Sequence, residues 1–169
     1  GEVFVLMGPS GGGKTVLLRQ VMGLDRPDAG EVRVGGEGVH TEGFRDRVRM
    51  GMVFQSAALF DSLTIAENVA FGLIERGGMP REEALAVAEQ KLRLVGLRDQ
   101  GHLKPNEISG GMQKRVGIAR AIARDPALVL YDEPTTGLDP ITSTVIEDLI
   151  KRVSVETQAT SIVVTHQLS

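Results

Sequence analysis

The eight residues Gly8-Pro9-Ser10-Gly11-Gly12-Gly13-Lys14-Thr15 fit the spacing G-x-x-x-x-G-K-[ST], a pattern whose parts can each handle phosphate. Glycines let successive backbone N–H groups turn inward around an anion, and a following helix adds the positive end of its dipole. Lys14 can reach terminal phosphates and Thr15 can offer a hydroxyl to Mg²⁺. A second pair, Asp132 and Glu133, follows directly on the apolar run Ala127 to Tyr131. Carboxylates emerging where a buried strand ends lie where open α/β sheets bind ligands. One such carboxylate can complete a metal shell, and its neighbour can orient or deprotonate an attacking water.

These residues have to be positioned by an alternating α/β chain. Val3 to Met7 is short and apolar and stops at Gly-Pro, as expected of a strand buried on both faces of a parallel sheet. A helix is predicted after Gly13, with Val16, Leu17, Val21 and Leu24 as its stripe. Glu31 to Val34 alternates, and Val48 to Phe54 is a further strand with Gln55 at its end. Thr64 and Glu67 have capping-box spacing, and Pro80 is placed to start a second helix, in which Leu85, Ala88, Leu92 and Val95 share a face. Phe60 to about Lys104 thus reads as a mostly helical insertion. Ser109 reads as the N-cap of a helix carrying Val116, Ile118, Ala119 and Ile122. Ile141 to about Val155 is helical, and Ser161 to Thr165 is a last strand.

Composition excludes several classes of function. At 169 residues the chain is the size of one domain. Its 41% hydrophobic and 24% charged residues exclude a disordered tail or a fibre. A formal charge of −3 gives no overall basic field for a polyanion, so phosphate chemistry must be local and nucleic acid is not an expected partner. Without cysteine there can be no disulfide or thiolate metal site. No run approaches the ~20 apolar residues of a membrane span.

Taken in order, the motifs resemble those of the nucleotide-binding domain of ABC transporters over nearly the whole chain. The loop at 8–15 is similar to Walker A, Gln55 to the Q-loop glutamine, and Ile108-Ser109-Gly110-Gly111-Met112 to the LSGGQ signature. Leu128 to Glu133 resembles Walker B with its catalytic glutamate, Gly137-Leu138-Asp139 the D-loop, and His166 the switch histidine. On residue chemistry alone Gln55 reads equally well as a surface glutamine, whereas Ser109 to Gly111 read first as a helix cap and His166 as a structural or solvated histidine. The resemblance implies more specific roles. Gly8, Pro9, Ser10, Gly11, Gly12, Gly13, Lys14, Thr15 and Val16 would bind ATP, and Thr15, Gln55 and Asp132 would serve Mg²⁺. Glu133, His166 and Gln55 would carry catalysis, while Ser109, Gly110, Gly111 and Met112 would meet the γ-phosphate held by a second ATPase subunit. Asp139 would couple the two sites of that homodimer.

The fold so implied is α/β: a P-loop ATPase core, with a mostly parallel sheet flanked by helices, plus a helical signature subdomain. Residues 1–58 and 125–169 would form the RecA-like core and about 59–124 the helical subdomain. The runs Gln55 to Thr64, Ser109 to Val116 and Glu133 to Thr142, with Met112 in place of the usual glutamine, are similar to the Mce-associated, Mla-type lipid-transport ATPases of bacteria. That implies a membrane permease as partner, with an MCE-domain lipid-binding protein, and a location on the cytoplasmic face of the inner or plasma membrane. An amino-acid importer is the alternative. A soluble ABC protein acting on DNA or ribosomes fits less well, because the 53 residues between Gln55 and Ser109 leave no room for a long coiled coil. Val16 departs from a second hydroxyl found in many relatives, and Gln167 from the aspartate that often follows the switch histidine. The chain starts seven residues before Gly8, so it reads as a domain truncated at both ends and lacking the upstream aromatic that would stack on adenine.

Overall fold

A computed structural model describes residues 1–166. Strand β5 (Leu128–Asp132) is central and buried throughout. It pairs in parallel with β4 (Met50–Val53) on one side and β6 (Thr160–Thr165) on the other. β6 in turn pairs in parallel with β1 (Val3–Met7), giving the order β1-β6-β5-β4. Period-two alternation sends the side chains of β5 to two separate cores. Val129 and Tyr131 join Val53 and the helices α3 (Ile65–Glu75), α4 (Arg81–Leu94), α5 (Gly110–Ile122) and α6 (Pro140–Thr157). Leu128 and Leu130 join Met52, Val164 and Leu18 of α1 (Lys14–Val21). Helices therefore cover both faces of a parallel sheet, the α/β architecture the sequence implies.

Local signals set the helix ends. Thr64 and Glu67 close the capping box that opens α3, and Ser109 Oγ accepts from Met112 N at the start of α5. Pro80 stands at the N-cap of α4. The backbone of α5 lies directly on β4, where a Cβ on Gly51 would come within 2.2 Å of the Ala121 carbonyl oxygen. Glu31 to Val34 contributes only β2 (Arg33–Val34), which forms a two-residue antiparallel hairpin with β3 (Glu37–Gly38) apart from the main sheet. The short helix α2 (Phe44–Arg47) follows.

Two expectations are corrected. β1 is not buried on both faces: its residues are 37–55% exposed, because β6 is its one neighbour among the described residues and neither core extends over it. In α1 the buried residue is Leu18, flanked by Val21 and Met22, whereas Val16, Leu17 and Leu24 are exposed. The helix is held by the side chains that face Leu128 and Leu130, and the rest of the apolar stripe has no layer above it.

Asn68, fully buried on α3, latches the loop that precedes its own helix. Its Oδ1 accepts from Phe60 N at 2.8 Å, and its Nδ2 donates to the Phe60 and Thr64 carbonyls at 3.1 and 3.0 Å. Asn68→Ala removes the acceptor of Phe60 N, while the Phe60 and Thr64 carbonyls keep the bonds from Leu63 N and Asn68 N. It is expected to lower the unfolding free energy by about 1–3 kcal/mol, read as an earlier urea midpoint at unchanged slope; a loss under about 1 kcal/mol would mean that water replaces the latch.

Candidate functional site

All four strands of the main sheet end at one edge, and the ladder extends past them. Gly8 N donates to the Thr165 carbonyl at 3.4 Å and Glu133 N to the Val164 carbonyl at 2.9 Å. This places the phosphate-type loop, the acidic pair and His166 together.

The loop takes its shape from glycine. Gly11 and Gly13 adopt φ of +79° and +83°, a region that L-residues with side chains avoid. Space does not explain them, since a Cβ at either would meet nothing within 4 Å. Gly13 is the N-cap of α1 and has no side chain to close the helix, and no acidic residue lies in the first turn. The positive end of α1 is thus left open to an anion. Inside the loop the Lys14 ammonium donates to the Gly8 and Pro9 carbonyls at 2.7 and 2.8 Å.

At the next residue, Thr15 Oγ1 donates to Asp132 Oδ1 at 3.1 Å. A hydroxyl and a carboxylate side by side at a phosphate loop are the hard oxygen donors Mg²⁺ takes when it shares its shell with phosphates and water. Among the described residues no group of three or more His, Asp or Glu could hold a metal by itself. The donor set therefore fits a metal that arrives with a phosphate ligand.

Glu133 is the most constrained residue of the site. Its backbone has φ of +47°, which a non-glycine residue adopts only where its surroundings enforce it. Here the bond to Val164 on one side and Thr136 N to the Glu133 carbonyl on the other do so. Its side chain is only 12% exposed. One carboxylate oxygen lies 2.8 Å from His166 Nδ1 and accepts from His166 N at 3.3 Å, while the other lies 3.7 Å from Lys14 Nζ. Beside this pair opens a cavity of about 470 Å³, lined also by Thr135, Ser143 and Thr165. A carboxylate aimed by an imidazole and shielded from bulk water can orient a water molecule against a phosphorus centre.

Lys14, Thr15, Asp132, Glu133 and His166 are thus gathered at one point, with Gly8 to Gly13 around them. The remaining candidates lie elsewhere in the chain. Gln55 follows β4 with an exposed side chain. Ser109, Gly110, Gly111 and Met112 open α5, and the neighbours of the two glycines are Leu138 and Thr142. Asp139 caps α6: its carboxylate accepts from Thr142 N at 3.0 Å and from the Thr142 hydroxyl at 2.5 Å. The Thr142 hydroxyl above all holds this carboxyl below the usual carboxylate range. Val16 is half-exposed beside the loop, and Gln167 lies outside the described residues.

Sequence reasoning missed Lys114 and Arg120. Both are on α5, and both reach the backbone just after β4: Lys114 Nζ donates to the Gln55 carbonyl, and Arg120 donates to the Ala57 and Ala58 carbonyls. Their signal was present, as cations inside the apolar stripe of Val116, Ile118, Ala119 and Ile122.

Comparison with known proteins shows the family of the chain. The family model described as ABC transporter matches residues 1–136. The intermembrane phospholipid transport system ATP-binding protein MlaF of Haemophilus influenzae is 44% identical over 172 residues, covering 99% of this chain and 65% of the relative. The methionine import ATP-binding protein MetN of Carboxydothermus hydrogenoformans is also 44% identical over 172 residues, covering 99% and 51%. The chain thus spans about half to two thirds of the length of these curated relatives. Among solved structures, the ATP-binding cassette MJ0796 in a dimeric post-hydrolysis state bound to ADP and Pi matches with TM-score 0.82 at 38% identity, covering 98% of this chain and 75% of that one.

Proposed function

Because the chain belongs to the ABC transporter family of ATP-binding domains, we propose that it binds and hydrolyses ATP as the motor subunit of a membrane transporter. The observation that carries this is the position of Glu133, strained, shielded and held between His166 and Lys14 beside an open helix N-terminus. The phosphates of ATP sit against the N–H groups of Gly11 to Thr15, with the Lys14 ammonium moving from the Gly8 and Pro9 carbonyls onto their oxygens. Thr15 and Asp132 would hold Mg²⁺, which would supply positive charge to the phosphates. Glu133 accepts the proton of the attacking water as its oxygen bonds to the γ-phosphorus and the bond to the β-phosphate oxygen breaks. His166 keeps that carboxylate in register and faces the leaving phosphate.

The signature residues complete a site on a second copy. Ser109, Gly110 and Gly111 present the N-terminus of α5 outward, where the γ-phosphate bound by the partner copy can meet it. In this reading residues 59–124 are the helical subdomain that carries the signature, 1–58 and 125–169 are the core, and Asp139 lies at the junction between copies.

A second surface suits a permease. Phe54, Phe60 and Phe71 are 40–45% exposed along a groove of about 420 Å³ that Arg45, Arg76 and Arg124 also line. The Phe60 and Phe71 rings are 4.8 Å apart between centroids. An apolar floor with a cationic rim fits an amphipathic helix bearing acidic residues, supplied by the membrane subunit. Phe54 immediately precedes Gln55, so an occupant of the groove is one residue from the catalytic side of the sheet. No described helix is long and apolar enough to cross a membrane. The motor would work at the cytoplasmic face of a bacterial inner membrane.

Likeness to MlaF and the Ser109 to Val116 run with Met112 support a phospholipid as cargo. Equal identity to a methionine importer means that the motor reading does not depend on the cargo. Isolation of the full-length protein from gently solubilised membranes should recover a permease together with an MCE-domain protein; another permease in their place would keep the motor and reject the lipid. For the chemical step, Glu133→Gln keeps the shape of the side chain and removes its basicity. ATP affinity should stay within about threefold while turnover falls by about 100-fold or more, measured by nucleotide binding and phosphate release; wild-type turnover in this variant would refute the assignment.

A further inference from the structure

Two adjacent alanines just past Gln55 adopt left-handed backbone conformations: Ala57 at φ +60° and Ala58 at +48°. Neither is glycine, so each is held away from its preferred backbone state. Ala57 is buried against Gly117 of α5, and its N–H donates to the Phe54 carbonyl at 3.0 Å. The turn's carbonyls converge on two cations of that helix. Lys114 Nζ donates to the Gln55 carbonyl, and the Arg120 fork donates to Ala57 and Ala58 at 2.5 and 2.7 Å.

A guanidinium suits this task because its rigid planar fork holds two neighbouring carbonyls at a fixed spacing, whereas the donors of an ammonium rotate on a flexible stem. Burial lowers the proton affinity of both groups. Lys114 lies one helical turn beyond Ser109 to Gly111, so the element that caps itself with the signature residues also grips the turn after Gln55. Arg120 and Ala58 in addition border the phenylalanine groove.

We propose that Lys114 and Arg120 are positioning residues: they clamp the Gln55–Ala58 turn in its strained form, so that α5 sets where Gln55 stands relative to the catalytic carboxylate. The device rests on the ATPase reading for its consequence but not for its geometry. A shift at the start of α5, or at the groove, is then felt at Gln55, because loosening the fork lets the two alanines return to an ordinary conformation.

The test uses the full-length protein and reads the turn and the chemistry separately. Arg120→Lys keeps the charge and loses the fork. In nucleotide-free protein it should speed hydrogen exchange of the Ala57 amide by about tenfold or more, and with MgATP it should lower kcat about tenfold at little-changed nucleotide affinity. Adding Ala58→Gly supplies a residue at ease with positive φ and should restore most of the lost kcat. Equal loss of kcat with and without Ala58→Gly would show that Arg120 acts through packing, and unchanged exchange at Ala57 would show that no clamp exists; either overturns the proposal. Faster exchange in a protein whose wild type releases no phosphate would support the clamp and reject the ATPase reading instead. Should Arg120→Lys fail to fold, Lys114→Gln is read by the same exchange with the same two outcomes.

Discussion

The structure depends on one constraint, that strand β5 must be apolar on both faces. Leu128 and Leu130 need one helical layer, Val129 and Tyr131 need another, and neither set can be satisfied by a sheet open to water on one side. Parallel strands between two helical layers all finish at the same edge. The first polar residue after β5's apolar run, Asp132, is therefore delivered to the edge where β1 gives way to the glycine loop. The bond from Thr15 Oγ1 to Asp132 Oδ1 joins two segments 117 residues apart in the chain. Much of the proposed chemistry is a consequence of where these strands must stop.

At that edge order is concentrated on a few groups. Glycine provides the left-handed backbone the loop requires at Gly11 and Gly13. Glu133 adopts a similar conformation without being glycine, and so depends on its bonds to Val164 and Thr136 to stay there. Ala57 and Ala58 repeat the arrangement at the end of β4, with cations of α5 as the restraint. Strain held by neighbours lies at both ends of the proposed catalytic path, where a small change in those neighbours can move a side chain.

How much was legible in the sequence follows from how local each signal is. The phosphate loop, the Thr64–Glu67 capping box, the Ser109 cap and the β5 strand are written in a few adjacent residues, and each stands where the sequence puts it. The burial of β1 was misread because an apolar run does not say how many neighbours its strand will find. In α1 the stripe is right at Val21 but takes in the exposed Val16, Leu17 and Leu24 and omits Leu18, since which apolar side chain is covered depends on the crossing with β5 rather than on helical period. What Asn68, Lys114 and Arg120 bind was illegible for a related reason. Their partners are backbone N–H and carbonyl groups, which nearly every residue carries.

Two proposals meet at this edge of the sheet, that it hydrolyses ATP and that a second copy completes the site through Ser109 to Gly111. Phosphate release by the full-length protein, followed against protein concentration with and without chelation of Mg²⁺, tests both halves. The account predicts a metal-dependent specific activity that rises as the concentration passes through the range of dimer formation. A specific activity independent of concentration would contradict the shared site, and binding of MgATP with no phosphate release at any concentration would contradict the chemistry.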